Sequence, residues 1–203
     1  MPYPNKRQEK KITKLGFELI AGVDEAGKGS WAGPLVAGAV ILNPRIKIKG
    51  IKDSKLLRAP ERKKIFAEII KNSISYGLGE VSAKEIDEIG ISRANALAIT
   101  RALDKLNPTP DYILIDAVKL EYKNIKTKSV IDGDYKITSI AAASIIAKVS
   151  RDQIMEQLDE QYPQYSFKQH KGYGTDHHWH MINQYGISAI HRKSFRPMKD
   201  LLN

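Results

Sequence analysis

Cysteine is missing from all 203 residues, so disulfides and thiolate metal sites are both excluded, and the fold must rest on its core alone. Also missing is any run near the roughly 18 apolar residues that a membrane-spanning helix needs. The opening segment, Met1–Lys14, is polar and basic and lacks the apolar stretch of a signal peptide. Acids are short relative to bases: 23 Asp and Glu stand against 33 Lys and Arg, a formal net charge of +10. These shortages lead to the expectation of a cytoplasmic protein, outside membranes, with a polyanionic partner. Nucleic acid is the usual polyanion, although many basic proteins bind none in particular.

What is present suffices for one compact domain. Hydrophobic residues make up 42% of the chain, enough for a core at this length. Residues 1–14 read as a flexible or loosely helical basic lead-in, and residues 15–203 as a single domain ending in helical elements. Leu19–Asp24 (LIAGVD) and Leu35–Leu42 (LVAGAVIL) are apolar runs bounded by glycine, the mark of buried strands. Tyr112–Asp116 (YILID) is the cleanest strand signal, and Ser75–Val81 a further one. Helical spacing marks Glu61–Asn72, Ala83–Ile89 after a Ser82/Glu85 capping box, Ser92–Leu106, Ile137–Tyr162 and Asp176–Tyr185. Strands alternating with helices predict an α/β domain with a mixed sheet.

GVDEAGKG (Gly22–Gly29) comes close to a phosphate loop but fails it. Gly29 has no hydroxyl for magnesium, and Asp24 and Glu25 would repel the phosphates such a loop cradles. Acids at a strand end followed by glycines suit metal binding beside a nucleic-acid strand better. Asp116 also ends an apolar strand. If the two strands are parallel neighbours, their C-terminal ends meet where ligands bind in open α/β sheets. Carboxylates gathered there repel one another unless cations lie between them. Asp134, just before the Ala-rich helix, is the third partner, with Asp132 close beside it. Such a set suits two hard cations, one activating water and one stabilising the leaving oxygen. Against this stand two points. An Asp at a strand end is commonly a turn residue or helix cap, as Asp53, Asp111 and Asp132 illustrate. And adjacent Asp24 and Glu25 point to opposite faces of a regular strand, so they share a site only if the strand ends or bulges there.

All five histidines fall between His170 and His191. His177, His178 and His180 raise a zinc reading, but further ligands are wanting, and a solvated or duplex-facing helix explains them more simply. FKQHKGYGT (Phe167–Thr175) mixes cations, an aromatic and glycines, a combination that contacts phosphate while pressing a ring on a sugar or base. It equally fits an ordinary surface turn. Lys52, Lys55 and Arg58, and then His191, Arg192, Lys193 and Arg196, read as scattered positive charge on solvated faces.

Six segments in order resemble ribonuclease HII of the bacterial type: VDEAGKGSWAGP (Val23–Pro34), DSK (Asp53–Lys55), DAVKL (Asp116–Leu120), IAAASIIAKVSRD (Ile140–Asp152), HKGYGT (His170–Thr175) and IHRKSF (Ile190–Phe195). The resemblance covers nearly everything from residue 19 to 199. It implies an RNase H-like fold and a metal site of Asp24, Glu25, Asp116 and a fourth acid, assigned by spacing to Asp134 with Asp132 as the alternative. It implies two Mg²⁺ or Mn²⁺ ions, and as substrates RNA–DNA hybrids and duplex DNA carrying ribonucleotides, cut to 3′-hydroxyl and 5′-phosphate ends. It implies reading of the ribose 2′-hydroxyl by Gly27, Lys28 and Gly29 and by Tyr173. Lys55, Asn95, Ser144 and Lys148 fall in similar motifs and are expected to contact the duplex. Lys28 departs from the arginine usual between these glycines, keeping charge but losing the planar fork. A monomer without an obligate protein partner is the family expectation. The rivals are a type HIII-like nuclease and a duplex-binding protein without activity.

Overall fold

The computed structural model describes residues 3–202. Its centre is a five-stranded sheet of β1 (Ile20–Ala26), β2 (Leu35–Leu42), β3 (Ser73–Val81), β4 (Tyr112–Asp116) and β5 (Lys126–Val130), in the order β3-β2-β1-β4-β5. The β1–β2–β3 half is antiparallel, while β4 runs parallel to β1 and β5 parallel to β4. This is the mixed sheet expected of an RNase H-like α/β fold. The YILID strand appears with its expected bounds, whereas the KTKSV strand β5 escaped prediction because an edge strand carries little apolar signal.

Helices cover both faces. The helices are α1 (Arg7–Thr13), α2 (Ala59–Asn72), α3 (Ala83–Ile89), α4 (Ile91–Asp104), α5 (Gly133–Lys136), α6 (Thr138–Gln161), α7 (Phe167–His170), α8 (Asp176–Tyr185) and α9 (Met198–Leu201). Small residues decide how closely they pack. A Cβ on Gly22 or Gly38 would strike the α6 backbone at Ser139 or Ala143, and one on Gly77 or Gly79 would strike α4 at Ala102 or Ala98. The AAAS run of α6 therefore lies directly on β1 and β2, with Ala141, Ala142 and Ala143 fully buried. On the opposite face Ala94, Ala98 and Ala102 of α4 do the same against β3 and β2.

The basic lead-in is docked rather than loose. Ile12 is buried against Ile20, Leu114, Ile137 and Ile140, and Glu9 accepts from the Ser139 backbone N–H at 3.0 Å, at the start of α6. After α6, the chain folds into a compact carboxy-terminal layer in which Tyr165 and Phe167 pack with Met155 of α6 on Ala32. That layer lies over the loop following β1, and this placement shapes the site. No helix among the described residues is long and apolar enough to cross a membrane.

Candidate active site

Strand β1 continues past its expected end at Asp24 to Ala26, paired in register with β2 through Asp24↔Gly38, Glu25↔Ala37 and Ala26↔Val36. No bulge occurs there. Asp24 therefore projects on the α6 face and Glu25 on the α4 face, as regular alternation requires. What lets them share a site is the neighbouring strand. Pairing of β1 with β4 stops at Val23↔Ile115, so beyond it that edge of β1 is open. The freed Glu25 N–H donates to the Asp24 side chain at 2.7 Å. Across the open edge stands Asp116, the last residue of β4.

Asp24, Glu25, Asp116 and Asp134 line one cleft of about 260 Å³, together with Ala26–Gly29, Ser54, Lys55, Ser144, Lys148 and Tyr173. Larger hollows, up to about 600 Å³, lie among α1, the β2–α2 connection and α2, and contain none of these four acids. Asp132 adopts a left-handed turn conformation at φ 54°, and its exposed side chain pairs with Lys136 at 3.6 Å. The turn sends Asp132 outward and delivers Asp134, 4% exposed, into the cleft.

The acids are poorly compensated. Burial, then the charges of Glu25 and Asp116, push the Asp24 carboxyl well above the usual range, and the Glu25 N–H, followed by the Ser144 hydroxyl, offsets this only in part. Burial raises Asp116 as well, although its Oδ1 accepts from the Gly133 N–H at 2.6 Å. Asp134 is raised by burial and by Asp53 and Asp116, with Lys55 at 3.6 Å acting against them. One Glu25 oxygen is buried without a hydrogen-bond partner, while the other faces Lys28 at 3.4 Å. An all-oxygen donor set with crowded charge and an orphaned carboxylate oxygen fits a hard divalent cation. The fit is one of chemistry: among the described residues no three such groups are drawn close enough to hold an ion as they stand.

The facing wall is fully satisfied. A Cβ on Gly27, at φ 89°, would run into the Arg151 guanidinium. Arg151, fully buried, donates to Pro34 O at 2.8 Å, Ser30 Oγ at 2.7 Å, Ala32 O at 3.1 Å and Lys171 O at 2.9 Å. Arg192, equally buried, donates to Lys28 O at 3.0 Å and to Gly33 O from both Nε and Nη2. Burial pulls its pKa down to about 9, with Arg151 adding to the effect. Two cations thus collect the backbone carbonyls of Lys28–Pro34 and tie them to the Tyr173 loop. Tyr173 lies with its ring centre 5.3 Å from the Arg151 guanidinium and 5.6 Å from Lys148 Nζ.

Several expectations need correction. Arg192 and His191 belong to the interior, not to a solvated basic tail: carbonyls from a loop more than 150 positions earlier converge on the Arg192 guanidinium, and the His191 ring is buried between His178 and Ser188. His178 does not face solvent or a duplex; it is buried against Trp31, Phe167 and His191. Asn95 lies buried on α4, outside the cleft lining, so the structure does not bring it to the site. Lys55, Ser144 and Lys148 do line the cleft. Sequence reasoning missed Arg151, yet Ser144, Lys148 and Arg151 repeat at four and three residues along one stripe of α6. Asp53, set aside as a turn acid, is buried, caps the Lys55 N–H at 3.0 Å, and with Asp134 and Asp24 raises the pKa of Lys55 despite the opposing effect of burial.

The family model described as Ribonuclease HII matches residues 21–198. A ribonuclease HII of Dehalococcoides mccartyi is 45% identical over 203 residues, covering 98% of this chain and 96% of the relative. One from Acetivibrio thermocellus is 50% identical over 187 residues, covering 92% and 73%. Among solved structures, ribonuclease H2 from Pyrococcus horikoshii OT3 superposes with a TM-score of 0.76 at 30% identity, covering 91% of this chain and 97% of that one.

Proposed function

The chain belongs to the ribonuclease HII family and is an RNase H, and from that premise we infer that it cleaves duplex DNA immediately 5′ to an embedded ribonucleotide as well as the RNA strand of hybrids. One observation carries the inference: four strand- and turn-borne acids share a single cleft with Gly27–Gly29 and Tyr173.

Asp24, Glu25, Asp116 and Asp134 would hold two Mg²⁺ or Mn²⁺ ions. Their chemistry, when bound, is to make water a nucleophile at neutral pH and to neutralise charge on the phosphate and leaving oxygen. Water adds to phosphorus and the bond to the 3′-oxygen breaks, leaving a 3′-hydroxyl and a 5′-phosphate. The protein's own groups position the strand. Asp24 is fixed by the Glu25 N–H, and Asp116 by the Gly133 N–H. Lys55 and Lys148 offer cations to the backbone phosphates at the cleft rim. The Gly27–Gly29 backbone, held by Arg192 and crowded against Arg151, meets the ribose 2′-hydroxyl, and the Tyr173 ring packs on the sugar. Lys28 serves through its backbone, since its side chain is half exposed and turned to Glu25. The biological role is removal of ribonucleotides and of RNA from DNA. A monomer, with the nucleic acid as its partner, is enough for this role.

An end-labelled DNA duplex with one ribonucleotide tests the reading. With Mg²⁺ or Mn²⁺ a single cut 5′ to the ribonucleotide is expected, abolished by chelator and by Asp116→Asn. Cutting of long hybrids alone would point to a type HIII-like enzyme, and tight binding without any cutting would leave a duplex-binding protein.

A further inference from the structure

The carboxy-terminal layer contains a chain of imidazoles that phosphodiester cleavage does not use. His178 Nδ1 lies 2.9 Å from the Tyr173 carbonyl, its Nε2 lies 3.0 Å from His191 Nε2, and His191 Nδ1 lies 2.7 Å from Ser188 Oγ and 3.0 Å from Ser188 N. Only one proton arrangement satisfies every contact. The Tyr173 carbonyl can only accept, so His178 Nδ1 carries the hydrogen and its Nε2 must accept. His191 then donates from Nε2, which leaves its Nδ1 to accept from Ser188. Both rings are neutral in this arrangement, since a proton on the remaining nitrogen would set two N–H groups against each other.

The surroundings favour it. His178 and His191 are both essentially without solvent exposure. His170 stacks on His178 with ring centres 4.2 Å apart, and itself holds the loop by lying 2.8 Å from Tyr165 O and accepting from Gly172 N–H at 3.2 Å. Phe167, Trp31 and Tyr165 close the remaining sides. Burial pulls His178 down to about 3 and His191 to about 4, so neither is charged at neutral pH. The loop has no slack, for a Cβ on Gly172 or Gly174 would strike the Ala32 carbonyl or the Trp31 ring.

We propose that Ser188, His191 and His178 form a neutral hydrogen-bond relay that positions Tyr173 through its backbone carbonyl, making this relay a specificity element for single embedded ribonucleotides. The proposal rests on the reading that the Tyr173 ring meets the ribose. His178 and His191 are positioning residues, as they reach the substrate only through Tyr173. A long hybrid, with many ribose contacts, depends less on one ring than a lone ribonucleotide does.

Two measurements test it. Imidazole ¹⁵N NMR of the intact protein at pH 7 is expected to show His178 as the Nδ1–H tautomer and His191 as the Nε2–H tautomer; the reverse pair, or a charged ring, overturns the relay. In kinetics, His178→Leu is expected to lower kcat/KM on a single-ribonucleotide duplex about tenfold, the scale of one stacking contact, while long hybrids change by less than about threefold. His178→Asn, which keeps a side-chain N–H near the Nδ1 position, recovers most of the loss. In a Tyr173→Ala background the His178→Leu change adds nothing further. Equal losses on both substrates, or additivity with Tyr173→Ala, overturn the proposal. If His178→Leu fails to fold, Ser188→Ala carries the kinetic test, with the same substrate bias and a smaller loss. Wild type that cuts hybrids only would sink the ribonucleotide reading, and the tautomers would still decide the relay.

Discussion

The two walls of the cleft are built on opposite principles. On one side Asp24 and Asp134 are buried and Asp116 is half-buried, near one another with their carboxyls pushed upward, and a Glu25 oxygen has no partner. On the other, behind the Gly27–Gly29 and Tyr173 lining, Arg151, Arg192, His178 and His191 are fully buried, yet their ring and guanidinium nitrogens meet carbonyls, hydroxyls or each other. Unsatisfied charge is costly and is kept where a ligand is to bring compensation; satisfied polar networks are rigid and suit a surface that measures shape. On the proposed reading, the acidic wall is the place for chemistry and the arginine–histidine wall the place for recognition.

The sharpest break comes from Asp24→Asn. Cleavage should fall about 10³-fold, the upper end for losing one preorganised charge at a reacting centre. The metal-free protein should at the same time melt higher, because a crowded buried carboxylate is gone. A melting temperature that falls along with activity would mean the acid wall is structural. On the other wall, Arg151→Met strands three carbonyls and a hydroxyl, and should cost about 3 kcal/mol in urea unfolding. A loss within experimental error would show that the wall is not held from within. Next, Tyr173→Ala should lower kcat/KM on a single-ribonucleotide duplex by about 10-fold to 100-fold, with Tyr173→Phe nearly silent. If Phe is as damaging as Ala, the hydroxyl rather than the ring face is what counts.

Acid separates the walls further. His178 and His191 are depressed in the fold, so their contribution to stability is fully present above about pH 6.5 and is lost as pH falls toward their folded values, at about 1.4 kcal/mol per pH unit for each ring. The carboxylates pull the other way, because raised folded pKa values make their contribution grow as pH falls. Urea melts between pH 7 and 5 should therefore show a decline, with a steeper one in Asp24→Asn than in wild type. A flat profile in both would contradict the neutral histidine pair. The smallest effect belongs to Lys28→Arg. Since the half-exposed side chain pairs with Glu25 at the rim while the backbone is held by Arg192, ribonucleotide cleavage should change by less than about threefold.

Much of the acidic wall was legible in the sequence, because strand-end acids after LIAGV and YILI announce themselves by the apolar runs before them. Their sharing of a site was not. It depends on the β1–β4 pairing stopping at Val23↔Ile115, one step before Asp24, which is a property of register rather than of either strand. Which of Asp132 and Asp134 enters the cleft turns on a single left-handed residue. The recognition wall was hardly readable at all. Arg192 sits among HRKSF and Arg151 among KVSRD, runs that locally look like solvated charge, and the carbonyls that bury them come from Lys28–Pro34. Edge strand β5 went unread for the same reason, as its pairing with β4 leaves no apolar period behind.

Binding, rather than cutting, separates the two walls most cleanly. Asp116→Asn, with Mg²⁺ present, should bind a duplex with one ribonucleotide more tightly than the all-DNA duplex of the same sequence, while cleaving neither. Tyr173→Ala in the same background should bind the two alike. If Asp116→Asn alone already fails to distinguish them, recognition resides with the acids and their ions, and the division of labour between the walls does not hold.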